Sequence, residues 1–114
     1  MMDYIVTMEA AWSVRDVETI DDAIGVAISE AGKQFHPNLD FVDIEIGSIV
    51  CEKCGKEMEA VMLVANTALV GMILTLKVFD AENVEHASRI AKSVVGRALK
   101  RVPLRVIEVA EWDG

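Results

Sequence analysis

The chain has 114 residues, enough for one domain with a modest core, and its 53% apolar and 26% charged residues form a folded, globular composition. Its 19 acidic against 11 basic side chains give a net charge of -8, a surface that repels phosphate backbones and anionic lipid and so argues against nucleic acid and membrane as partners. The N-terminus Met1-Met2-Asp3-Tyr4 lacks the basic head and cleavage site of an export signal, and the uncharged stretch 60–76 is short for a lipid span and is interrupted by Asn66, Thr67 and Gly71. A cytoplasmic protein is expected.

From Tyr4 the sequence alternates. Tyr4, Val6, Met8, Ala10, Trp12 and Val14 share one face, and Ile5, Thr7, Glu9, Ala11, Ser13 and Arg15 the other, which predicts a half-buried strand with Trp12 in the core. Thr19 and Asp22 have the spacing of a capping box, opening a helix whose apolar stencil is Ile20, Ala23, Ile24, Ala27, Ile28 and Ala31. Gly32 is its expected stop, and Pro37 prevents continuation. The acidic run Asp16, Glu18, Asp21 and Asp22 is read as complementing the helix dipole rather than as a cation site.

A strand is expected near Phe41 to Val50, with Val42, Ile44 and Ile46 inward. The β-rich stretch Met58 to Phe79 would exceed ~70 Å if fully extended, so it must break, at Asn66-Thr67 or at Gly71. Val61 to Val70 lacks polar alternation and is expected to be covered on both sides. A second helix is predicted over about Glu82 to Lys100 on the stencil Ala87, Ile90, Ala91, Val94, Val95 and Ala98. Pro103 ends it, and Leu104 to Trp112 forms a last strand. Lys92, Arg97, Lys100, Arg101 and Arg105 are read as the solvated end of this helix.

The two halves match each other in strand, helix and strand. A single α+β domain follows, a ferredoxin-like plait of two β-α-β halves, 3–48 and 68–112, joined by a hairpin over 49–66, with both helices on one face of an antiparallel sheet. The open face would carry Ile5, Thr7, Glu9, Phe41, Ile73, Thr75, Lys77, Leu104 and Val106, with Glu9 and Lys77 as a cross-strand ion pair. A large apolar surface of this kind marks a partner site, and a homo-oligomer, most simply a dimer, is expected.

Cys51 and Cys54 are the only cysteines, in Cys51-Glu52-Lys53-Cys54-Gly55. Two thiolates at this spacing supply half of a tetrahedral zinc site, and Gly55 permits the sharp turn behind them. His36 and His86 are the only histidines. In a simple plait both lie at the sheet end opposite the Cys51 hairpin, although a fold-back at Asn66-Thr67 would bring His86 to the same end; His86 is expected on the surface. Completion of the zinc site by another subunit needs no histidine. The alternatives are thiols with no role in this chain, a dithiol–disulfide redox pair, which here lacks the helix N-terminus that lowers a thiol pKa, and a plait that senses an unidentified small ligand. Copper-chaperone plaits carry the cysteine pair in the first strand–helix loop, and RNA-binding plaits carry aromatics on the central strands; this chain has neither. It holds no hydrolase triad, phosphate-binding glycine loop or HExxH motif, so a non-catalytic binding or assembly module is expected.

The segments Glu9-Ala10-Ala11-Trp12, Asp21-Asp22-Ala23-Ile24 through Ser29-Glu30-Ala31-Gly32-Lys33, Asn66-Thr67-Ala68-Leu69-Val70-Gly71 and His86-Ala87-Ser88-Arg89-Ile90-Ala91-Lys92 resemble an archaeal family best known from methanogens. The resemblance spans nearly the full length, and the CxxCG turn looks like the family's too. It implies an archaeal cytoplasmic protein and brings no activity, cofactor or catalytic residue with it.

Overall fold

The computed structural model describes residues 2–35, 42–50 and 55–112. Its elements are β1 (Met2–Arg15), α1 (Ile20–Phe35), β2 (Asp43–Ile46), β3 (Ser48–Val50), β4 (Glu57–Glu59), β5 (Val61–Val64), β6 (Thr67–Ala81), α2 (Val84–Ala98) and β7 (Leu104–Glu111). The main sheet has the order β2-β6-β1-β7, every pairing antiparallel, and β5 also pairs with β6. Two β-α-β passages with their first strands side by side at the centre make this the expected ferredoxin-like plait.

Tyr4, Val6, Met8, Ala10, Trp12 and Val14 are all buried, as the alternation of β1 predicts, and they meet Ala68, Val70, Met72, Leu74, Leu76 and Val78 of β6 in one core. The helices bring mostly small residues to it: Ala23, Ala27 and Ala31 from α1, and Ala87, Ala91 and Val95 from α2. Large side chains on the sheet thus face short ones on the helices, which lets the layers approach and fill space at interior density.

The first helix departs from its stencil. Ile20 and Ile28 are exposed, and the buried line is Ala23, Ala27, Ala31 and Phe35. Thr19 does cap the helix, its Oγ1 accepting the Asp22 N–H at 3.1 Å. The helix does not stop at Gly32. Burial of Phe35 outweighs the roughly 1 kcal/mol that an interior glycine costs.

The second helix is shorter than expected at both ends. Asn83 caps it, with Oδ1 accepting the His86 N–H at 2.8 Å, and the His86 Nδ1 accepts the Glu82 N–H at 3.0 Å. His86 is therefore half-buried within a reciprocal cap rather than free on the surface. Asn83→Ala is expected to lower stability by about 1 kcal/mol in urea unfolding, while Asn83→Asp keeps the acceptor and stays within a few tenths.

The expected strand Phe41–Val50 is divided, with β2 and β3 on either side of Gly47. The Met58–Phe79 stretch is likewise three strands. It reverses at Ala65–Asn66, both at positive φ (51° and 58°), the pair that a tight hairpin turn requires. Gly71 is not a break; β6 passes straight through it.

On β7, Ala10 opposes Leu104 and Met8 opposes Val106, so these two apolar residues face the helices rather than the open face. The cause is the starting register, since one residue of slip exchanges the two faces. A bulge between Thr7 and Met8 then leaves Ile107 without an opposite residue and exposed. Phe41, also assigned to the open face, lies outside the described residues.

Candidate functional site

The edge strand beside β6 is interrupted. β2 pairs with residues 72–75 of β6 and β5 with 67–70, in the same direction, so β2 and β5 form one line. Between them, β3 and β4 pair only with each other and form a separate two-stranded sheet, in register Ser48↔Glu59, Ile49↔Met58 and Val50↔Glu57. We call this excursion the arm. Three backbone contacts close its base: Gly47 N–H donates to Gly71 O at 2.8 Å, Gly71 N–H to Ala60 O at 2.6 Å, and Ala60 N–H to Gly47 O at 2.8 Å. Two residues thus share the bonds of Gly71. A Cβ on Gly71 would stand 2.9 Å from the Ala60 Cβ, so a side chain there collides with the arm base.

Cys51 and Cys54 fall in the sequence between β3 and β4, outside the described residues. Gly55 behind them has φ +70°, the left-handed turn that favours glycine. His36 is also outside the described residues. His86 stands at the start of α2, just beyond Ala81, and some ten residues of β6, about 30 Å of strand, separate Ala81 from the arm base at Gly71. Folding back at Ala65–Asn66 has not brought this histidine to the arm base. Among the described residues, no three His, Cys, Asp or Glu side chains are grouped to hold a metal ion.

The open sheet face combines apolar and charged ground. Met62 and Val64 are each 64% exposed and Leu69 49%. The stretch Val61–Val70 is therefore covered on one side only, with Val61, Leu63, Ala68 and Val70 turned to the core. The expected Glu9–Lys77 pair does not form. Glu9 lies opposite Ile73 and Arg105, and its Oε1 is 2.7 Å from Arg105 Nε. Lys77 instead places its ammonium 4.3 Å from the centre of the Trp112 ring, which also meets Phe79 edge-on. Sequence reasoning missed both contacts, because they depend on the β7 register.

A cleft of about 1090 Å³ opens where β7 falls short of β1. Trp12 forms part of its floor, buried and with Nε1 donating to Glu30 Oε2 at 3.3 Å. The end of α2 and the loop after it supply Arg97, Lys100 and Arg101 to its wall. The basic residues read from sequence as one helix end are thus divided: three line this cleft, while Arg105 is bound to Glu9 on the open face. Arg101 holds φ +67°, a conformation unusual for a residue with a side chain. No helix among the described residues is long and apolar enough to cross a membrane.

Together these features define an α+β plait with a two-stranded arm on its edge strand and an uncovered sheet face. The chain belongs to the family of proteins of unknown function DUF555, which it matches over residues 4–112. Similar proteins, each described as a UPF0212 protein, occur in Halobacterium salinarum (59% identical, over 100% of this chain and 94% of the relative). They occur also in Methanoregula boonei (54% identical, over 97% and 99%) and in Archaeoglobus fulgidus (50% identical, over 99% and 100%). The archaeal resemblance read from the sequence is thereby established, and it extends to halophiles. No solved structure matches the chain.

Proposed function

We propose that this protein is a small, cytoplasmic, non-catalytic assembly module. In this reading Cys51 and Cys54 form half of a tetrahedral zinc site that a second copy completes. What supports it is the arm, a strand pair that leaves the sheet edge at Gly47 and returns at Ala60, because the cysteine pair falls in the sequence between its two strands. A chain with only two thiols gains a closed four-ligand site by symmetry, with no histidine needed. The exposed Met62 and Val64 supply apolar surface for the same association.

The test is elemental analysis with light scattering on protein purified under reducing conditions. The expected result is a dimer holding about half an equivalent of zinc per chain, with metal and dimer both lost in Cys51→Ser. A metal-free monomer with a reversible Cys51–Cys54 disulfide would overturn the proposal and establish the redox alternative.

A further inference from the structure

The cleft beside β1 has a backbone floor as well as a charged wall. β7 pairs with β1 only as far as Ala10↔Leu104, and beyond that Ala11 N–H donates to Pro103 O at 3.1 Å. Proline has no N–H to return, so the Ala11 carbonyl receives nothing from it. Residues two apart in a strand address the same neighbour. The N–H and C=O of Ser13 therefore point to the side that Ala11 addresses, and among the described residues no strand continues there. This is an open strand edge a few residues long, in line with β7, inside a cleft.

The cleft straddles that edge. On the helix side it is lined by Trp12, Val94 and Ala98, and on the open-face side by Ser13 and Leu69. An added strand sends alternate side chains to opposite faces, and both faces here offer apolar contact. Arg97, Lys100 and Arg101 stand at the rim against one carboxylate, Glu30, in a chain of net charge -8. The helix dipole accounts for a cation in the last turn of α2. It does not account for a strand edge left open beside three of them.

We propose that this cleft binds an extended, acidic peptide segment of a partner protein, which adds to the free edge of β1 as a short antiparallel strand in line with β7. Backbone hydrogen bonds to Ala11 and Ser13 hold it, and Arg97, Lys100 and Arg101 select carboxylates. Bases are poor occupants, because the aromatic ring in the floor, Trp12, is buried and offers no stacking face. The inference is independent of the metal reading, since it uses neither cysteine.

The experiment titrates the full chain, carrying Trp112→Phe so that Trp12 alone reports, with a short end-capped peptide of alternating glutamate and valine. Saturable binding is expected, weakening as salt rises, and weakened about tenfold by Arg97→Ala with Arg101→Ala. N-methylation of the peptide amides that face β1 should abolish it, while methylation of the outward amides should leave it intact. Ser13→Pro, which removes the edge N–H, should weaken it also. Because that variant risks misfolding, the methylated peptides decide.

Four results would overturn the proposal. One is absence of saturable binding. The second is indifference to which amides are methylated. The third is equal competition by citrate or by a single-stranded oligonucleotide, which would make this a general anion site. The last is self-association of the chain that Arg97→Glu abolishes, which would make the occupant a second copy.

Discussion

Gly71→Val is expected to destabilise the protein by about 2–3 kcal/mol, although valine is among the best strand formers and glycine among the worst. At an ordinary half-exposed strand position the exchange would gain up to about 1 kcal/mol, from β-propensity and from a less flexible unfolded chain. Here the sign reverses, because the new Cβ meets the Ala60 Cβ at 2.9 Å and the Ala60 carbonyl at 3.2 Å. Neither atom is the end of a flexible side chain. Relief requires Ala60 to withdraw, which breaks the bond from Gly71 N–H to Ala60 O and loosens the bond from Ala60 N–H to Gly47 O. The measurement is the urea midpoint, with Ala60→Gly as the second arm of a double-mutant cycle. Removing the Ala60 methyl should return part of the loss and leave the part due to the carbonyl. A Gly71→Val protein as stable as the parent would mean that Ala60 does not close against Gly71 at the arm base.

Leu74→Ala is expected to cost about 3 kcal/mol and to lower Tm by roughly 12–20 °C. Leu74 is fully buried in β6, opposite Met8 on one side and Ile44 on the other. The layer above it is made largely of alanines, whose short side chains cannot reach into a vacated volume, so the cavity stays open. Leu69 lies five residues away in the same strand on the other face, 49% exposed. Leu69→Ala should shift stability by no more than about 0.5 kcal/mol in either direction. The contrast is measured by thermal unfolding of both variants. Equal losses would mean that Leu69 itself lies within a contact between copies rather than outside it.

Much of the fold was legible because the sequence repeats itself. Strict alternation in β1 and the stencil Ala87, Ala91, Val95 in α2 mark core faces that the structure reproduces. The position of His86 in a cap was not legible, since its pairing with the Glu82 N–H follows from where α2 begins. The inward face of α1 was read too widely: Ala23, Ala27 and Ala31 of the stencil are buried, but Ile20 and Ile28 beside them are exposed. The packing preferred alanine, since Met8, Met72 and Leu74 had already filled the space between the layers. The register of β7 could not be read either. Leu104 and Val106 share a face by alternation, but Val109 joins them only because a bulge inserts Ile107, and a strand with a bulge has no single period.

The candidate surfaces were less legible than the fold. The cysteine spacing and the Gly55 turn stand in the sequence, and the chain does reverse at Ala65–Asn66, close to one predicted break. The cleft left only an ambiguous signal, a basic cluster that reads equally well as a solvated helix end. Its cations cluster from Arg97 to Arg101, but its backbone floor exists only because β7 begins at Leu104, short of the end of β1. A property produced by the relative lengths of two strands, 94 residues apart at Ala10 and Leu104, cannot be read from either one.

The hydrogen bond from Ala60 N–H to Gly47 O ties the two ends of the excursion together. It makes the doorway by which the chain leaves the edge strand and the doorway by which it returns the same place. The entropy of closing that loop is met at the threshold, and lengthening the loop beyond it adds little. The sheet edge works as a mounting point, and a differently sized or differently equipped attachment at Gly47 and Ala60 would leave the body of the protein nearly as stable as before.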